Sequence, residues 1–334
     1  MKSLVVAGMS LVLLLVSATQ AAAGGRSSLD SRRPQTSLSY HWPIKPFDSQ
    51  HPVRGAFGDP RIAGDSRPFG WTGPTEIGAH SFHNGIDIVA APGTPVYPVV
   101  SGRVARAKSD EIVVHTDDGR GFQYYHLSRA PAVQRGRLVV ADRTVLGWIR
   151  ASYGHVHLAE IDHHHVHNPL DRGHLEPYHD RTRPVANDLY VDDGPVPSPI
   201  DGRSIGPDDH LAVAAKDRPP LSEPGPWLGR PQTPALVEWR LSSGRTNGKW
   251  KVAVDFRQTQ PQPRDFWEVY GAGTYQNSPV FEHRLFSGTP GRYLFRIHVH
   301  PSRLQLDRLY ELTVRVADVR GNRSTTSWPL EVTG

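Results

Sequence analysis

Cysteine is absent from this 334-residue sequence. Disulfide frameworks, cysteine nucleophiles, thiolate zinc sites and iron–sulfur clusters are therefore excluded, and a metal would have to be held by His, Asp or Glu. Methionine is nearly absent as well, with only Met1 and Met9. No apolar run after residue 16 approaches the roughly 20 residues a membrane-spanning helix needs. Runs of Lys or Arg are missing, as are zinc-finger and RNA-binding patterns, so the net charge of +5 points to no nucleic-acid partner. Spread this evenly, it favours polyanionic surroundings. What is present is 37% hydrophobic residues against 21% charged, enough to build packed cores rather than a disordered chain. Gly 31 and Pro 30 favour short strands and turns over long helices. Histidine, at 18 residues, is unusually abundant.

Residues 1–23 read as a cleavable signal peptide. Lys2 gives a positive start, Leu4 to Val16 is apolar apart from Gly8 and Ser10, and Ala21-Ala22-Ala23 supplies the small residues for cleavage after Ala23. The alternative is an uncleaved anchor; a lipid-anchored form is excluded, because no cysteine follows the apolar run. Cleavage leaves no membrane span and places the product in the periplasm or outside the cell. Residues 24–39 are polar and read as a flexible leader.

From 40 to 170 short β-like runs alternate with turn signals. They include Pro95–Val100, Gly102–Arg106, Glu111–His115, a turn at Asp117-Asp118-Gly119 and a return strand over Phe122–Leu127. No window repeats every 3.6 residues, which predicts a mainly antiparallel β-domain. Residues 171–188 read as a linker. Residues 189–334 carry strand candidates at Ala235–Leu241, Trp250–Phe256, Gly291–Val299, Leu309–Val316 and Trp328–Val332, the pattern of an immunoglobulin-like or fibronectin-like β-sandwich.

The histidines carry the chemistry. In Phe82-His83-Asn84-Gly85-Ile86-Asp87-Ile88, His and Asp are four apart, and Asn-Gly between them argues against a helix. On a straight strand their Cα atoms would lie roughly 13 Å apart, too far to share a metal with bonds of about 2 Å. A shared metal therefore requires the chain to bend at Asn84-Gly85. In Gly154-His155-Val156-His157-Leu158 the two histidines point to one face of a strand. Tyr124-Tyr125-His126-Leu127 offers a further histidine. Together these supply a three-ligand metal site with an open position and acid/base groups beside it. Spacing does not choose between His155 and His157 as ligand. His-Val-His recurs at 165–167 and 298–300. Those in 163–167 read as a solvated hairpin turn, and His298 and His300 as exposed strand residues.

The order His83-Asn84-Gly85-Ile86-Asp87, Tyr125-His126-Leu127 and His155-Val156-His157-Leu158 resembles that of the lysostaphin-type zinc metallopeptidases, family M23. Arg54-Gly55-Ala56-Phe57-Gly58 ahead of these motifs and Ala91-Pro92-Gly93-Thr94-Pro95-Val96 and Gly102-Arg103-Val104 between them extend the resemblance over about residues 48–170. Two departures stand out. Ala159 replaces an aromatic residue before Glu160, and the stretch from Gly58 to Ser81 is long, which predicts a loop flanking the cleft. The resemblance implies one Zn2+ per chain, held by His83, Asp87 and His157, with His126 and His155 as the catalytic histidines beside it. It implies a secreted endopeptidase in which a zinc-activated water attacks peptide cross-links of bacterial peptidoglycan, with stem peptides or cross-bridges as partners. Two alternatives remain open: a catalytically silent scaffold or activator of another wall hydrolase, and a general protease for glycine-rich protein segments. The oligomeric state is not given by the sequence.

Overall fold

A computed structural model describes residues 39–62, 80–162, 165–193, 197–200, 202–274 and 291–333. The expected signal peptide and nearly all of the leader lie outside the described residues. Thirteen strands precede residue 168: β1 (Val53–Gly55), β2 (Pro60–Ile62), β3 (His80–Phe82), β4 (Ile86–Val89), β5 (Pro95–Val96), β6 (Gly102–Ala107), β7 (Glu111–His115), β8 (Gly121–Tyr125), β9 (Leu127–Arg129), β10 (Leu138–Val139), β11 (Gly147–Ile149), β12 (His155–Ile161) and β13 (Val166–His167). An antiparallel sheet runs in the order β1-β4-β12-β8-β7-β6-β10, with β13 on β12. A smaller sheet, β5-β11-β9, accompanies it.

Period-2 alternation explains the larger sheet. Ile86 and Ile88 of β4 and Val156 and Leu158 of β12 are fully buried in the apolar core. The intervening Asp87, His155 and His157 therefore share the opposite face. The expected turn at Asp117-Asp118-Gly119 joins β7 to β8, with Gly119 at φ 88°, a conformation glycine adopts without steric cost. Two expectations need correction. The run predicted over Pro95–Val100 pairs only at Pro95 and Val96, because Pro98 has no N–H to give a ladder. The long loop predicted between Gly58 and Ser81 starts and ends in strands, since β2 and β3 pair antiparallel. Residues 63–79 lie outside the described residues.

Nine further strands follow: β14 (Val185–Val191), β15 (Ser198–Pro199), β16 (Ser204–Ile205), β17 (Leu211–Lys216), β18 (Leu236–Ser242), β19 (Lys251–Asp255), β20 (Leu294–Ile297), β21 (Leu309–Ala317) and β22 (Arg323–Val332). They form two sheets, β15-β14-β17-β20 and β16-β22-β21-β18-β19, antiparallel except where β16 meets β22. The one α-helix among the described residues, α1 (Phe266–Val269), has four residues. His298 and His300 are exposed as expected, but they lie beyond the end of β20 rather than on a strand. In the segment predicted as a linker, Leu175 and Tyr178 are buried.

The C-terminal strands and their connections pack directly against β3 and the connection between β1 and β2. The Phe82 ring meets those of Phe256, Phe266 and Tyr270 at 5.4–5.9 Å. Tyr270 Oη donates to the Gly58 carbonyl at 2.7 Å. Gly58 has φ +87°, and a Cβ there would lie 2.5 Å from the Phe256 ring, so glycine is needed both for the turn and for the contact.

Candidate metal centre

The bend that the sequence demanded is there. β3 ends at Phe82, β4 begins at Ile86, and the chain turns through His83-Asn84-Gly85 between them. His83 Nε2 thereby comes within 3.2 Å of Asp87 Oδ1. Register brings the third group. His157 on β12 stands directly opposite Asp87 on β4, where facing side chains are in contact. His157 Nδ1 lies 3.1 Å from Asp87 Oδ1 and 2.8 Å from His83 Nε2. All three residues are buried, and their donor atoms form a triangle with sides of 2.8–3.2 Å.

Protonation states sharpen the picture. His83 Nδ1 donates to the Ala56 carbonyl at 2.8 Å, which leaves the Nε2 lone pair facing the triangle. Burial, with Arg61 adding to it, pushes His83 down to about 3, so the ring is neutral at pH 7. Burial alone would raise the Asp87 carboxyl, but its surroundings, His83 first and then Arg54, His155 and Arg61, outweigh it and hold Asp87 well below the usual carboxylate range. Arg61 Nη2 donates to Asp87 Oδ2 at 2.9 Å and Arg54 Nη2 approaches the same oxygen at 3.3 Å. Oδ1 is left to face the two imidazoles. Among the described residues the buried His157 Nε2 has no hydrogen-bond partner. The three candidate ligand atoms thus face one another across a single point. Ligands on a tetrahedral zinc with bonds of about 2.0–2.1 Å stand roughly 3.3 Å apart, close to the sides of this triangle, so the residues fit such a cation.

The other two predicted residues lie alongside. His155 shares the face of His157 and is buried. Its Nδ1 donates to the Tyr153 carbonyl at 2.8 Å and its Nε2 accepts from Arg54 Nη2 at 2.8 Å. Burial pushes it down to about 3. His126 lies between β8 and β9 with φ 70°, an uncommon conformation for a residue with a Cβ. Arg150 N–H donates to its carbonyl at 3.0 Å. Its ring stacks on Tyr153 at 4.0 Å and meets His155 edge-on at 4.6 Å, and burial lowers it to about 4. The structure therefore brings all five predicted residues into one site. His165 and His167 pair instead with Asp162 at the β12–β13 turn; His163 and His164 lie outside the described residues.

Sequence reasoning did not anticipate the polar residues around the centre. Arg54 opens the run Arg54-Gly55-Ala56-Phe57-Gly58, but nothing local says its side chain turns toward Asp87. Tyr153 shares the turn before the His-Val-His pair. Trp227, whose ring lies 3.8 Å from the Arg54 guanidinium, is 173 positions away in the sequence.

No curated protein matches the chain. Among solved structures, the SpoIIQ–SpoIIIAH pore-forming complex is 23% identical over 40% of this chain and 90% of that one, with a TM-score of 0.30. The catalytic domain of the antimicrobial peptidase lysostaphin from Staphylococcus simulans is 21% identical over 36% and 90%, TM-score 0.27. A zinc-containing peptidase from Vibrio cholerae is 20% identical over 37% of each chain, TM-score 0.26. Among the described residues no helix is long and apolar enough to cross a membrane. Residues 81–169, which hold His83, Asp87, His126, His155 and His157, match the model of peptidase family M23.

Proposed function

We propose that the protein is a zinc metalloendopeptidase that hydrolyses the peptide cross-links of bacterial peptidoglycan. The observation that carries the reading is the convergence of His83 Nε2, His157 Nδ1 and Asp87 Oδ1 within 3.2 Å of one another. Those three atoms would hold one Zn2+. When bound, zinc supplies a Lewis acid that polarises the scissile carbonyl and lowers the pKa of water at its open position to about 7. The chain's own residues do the rest. Arg61 and Arg54 keep Asp87 ionised and turned toward the two imidazoles. His126, neutral at pH 7, would accept a proton from the attacking water on a ring nitrogen and return it to the leaving amine. His155, with Nδ1 tied to the Tyr153 carbonyl, presents Nε2 on the same side. The peptidoglycan substrate class, the signal peptide with export to the periplasm or medium, and the immunoglobulin-like reading of 189–334 are parts of this proposal.

A second reading, a catalytically silent scaffold for another wall hydrolase, draws on one observation: both ring nitrogens of His155 are already hydrogen-bonded. One experiment separates the two. Metal content and peptidoglycan solubilisation are measured on the same samples of wild type, His83→Ala and His126→Ala. The enzyme reading expects about one zinc per chain and activity in wild type, loss of both in His83→Ala, and retained zinc with a rate about 10²–10⁴-fold lower in His126→Ala. A zinc-free wild type, or wild-type cleavage by His126→Ala, would sink it. Zinc binding with no activity on any wall preparation would favour the scaffold.

A further inference from the structure

Residues 217–233, a connection in the C-terminal half, run to the metal centre. Gln232 is held by a backbone pair with Asp217, and its side-chain amide donates to the Val53 carbonyl. Thr233 N–H donates to Asp59 Oδ1 at 3.0 Å, and the Ala56 N–H donates to the other oxygen of Asp59 at 2.9 Å. Tyr293 Oη fixes the Pro231 carbonyl at 3.0 Å. The connection is thus anchored on both sides of Arg54, at Val53 and at Asp59. Within the loop that the Asp217–Gln232 pair closes, Trp227 lays its ring over the Arg54 guanidinium at 3.8 Å. Glu223 is buried within electrostatic reach of Arg54.

Arg54 is the residue on which this connection acts. Its Nη2 stands 2.8 Å from His155 Nε2 and 3.3 Å from Asp87 Oδ2. An arginine side chain has several rotatable bonds, and a flat aromatic face over the guanidinium removes most of that freedom. With the guanidinium fixed, the donor to His155 fixes the orientation of that ring, and the contact with Asp87 Oδ2 turns Oδ1 toward His83 and His157. Outer residues that hold metal-binding side chains in this way are worth about 10–100-fold in metal affinity or activity.

We propose that Arg54 and Trp227 are positioning residues of the metal centre, so that the C-terminal half completes the catalytic site rather than serving as a detachable module. This rests on the zinc peptidase reading for its activity arm but not for its metal arm. The test uses the full chain. Zinc affinity is measured by chelator competition, and kcat and KM on peptidoglycan fragments, for wild type, Trp227→Ala, Trp227→Phe, Arg54→Lys and the double variant Arg54→Lys/Trp227→Ala. Leu228→Ala, at an exposed neighbour, controls for damage to the connection. Trp227→Ala is expected to weaken zinc binding and lower kcat by about tenfold, with KM changed less than twofold. Trp227→Phe should recover most of both. Arg54→Lys keeps the charge without the flat fork and should match Trp227→Ala, and the double variant should lose nothing more. Wild-type zinc affinity in Trp227→Ala, equal loss in Leu228→Ala, or additive loss in the double variant would overturn the inference. A wild type that binds zinc but cleaves nothing defeats the peptidase reading alone, and the affinity series still decides this one.

Discussion

Replacing Gly85 by Ala tests whether the bend between β3 and β4 sets the metal centre. The added Cβ would lie 2.2 Å from the Leu158 carbonyl oxygen and 2.9 Å from His157 Cε1. The first neighbour is backbone of β12, paired to both β4 and β8, and does not move aside as a flexible side chain does. Ordinary contact begins near 3.4 Å, so β4 and β12 must part locally by about 1 Å, and the separation falls between Asp87 and His157. Overpacking of this kind costs about 2–3 kcal/mol, which for a chain of this size lowers Tm by roughly 3–5 °C. A misplacement of about 1 Å among reacting groups costs on the order of 10²-fold in rate. Calorimetry, zinc titration and turnover on one preparation give all three readouts. Affinity and rate should fall further than the loss of stability accounts for at 25 °C, where the variant stays folded. A Gly85→Ala protein with wild-type Tm and zinc affinity would refute the argument that close approach of β4 to β12 builds the centre.

Three further outcomes are expected. Tyr153 stacks on His126, and a pair of this kind is worth about 1 kcal/mol; Tyr153→Ala should slow turnover about fivefold with zinc retained, Tyr153→Phe should not, and equal rates would remove Tyr153 from the site. Glu160 is buried and accepts from Tyr40 Oη and His174 Nδ1, both at 2.7 Å. Glu160→Ala should cost about 3–5 kcal/mol in urea unfolding, and a loss below about 1 kcal/mol would show the network to be weak. Burial raises Asp217 to about 8, with Asp180 and Asp318 adding to it. The folded chain therefore keeps a proton that the unfolded chain releases above about pH 4. The stability this proton supports is complete below that pH and is lost as the pH rises through about 8. Asp217→Asn should melt higher than wild type at pH 8, with the gap closing toward pH 4, and a pH-independent gap would contradict the assignment.

How much of this was legible beforehand varies residue by residue. The turn at Asp117-Asp118-Gly119, the apolar β-branched run of β7 and the period-2 alternation of β21 are local facts. The requirement for a bend at Asn84-Gly85 followed from arithmetic on strand length alone. That His155 and His157 share a face also followed, because the period of a strand is fixed. Which of the two meets Asp87 did not, because spacing gives the two the same face. The register of β12 against β4 decides it, pairing His157 with Asp87 and His155 with Val89. Register is a cross-strand property that no single segment encodes.

The sequence by itself determined the chemistry available to this protein. With no cysteine, any metal centre had to come from imidazole and carboxylate, and three short motifs held the residues for it. Only the tertiary structure decided how those groups are held. Arg54 and Arg61 both reach Asp87 Oδ2, one from β1, which pairs with β4, and the other from β2, which pairs with β3 ahead of the bend. Trp227 covers Arg54 because a connection from the C-terminal half is anchored at Val53 and Asp59. Local pattern reports which faces of a strand are apolar, whereas the partner of a buried charge is chosen by whichever donor the packed chain brings to it, from any distance along the sequence.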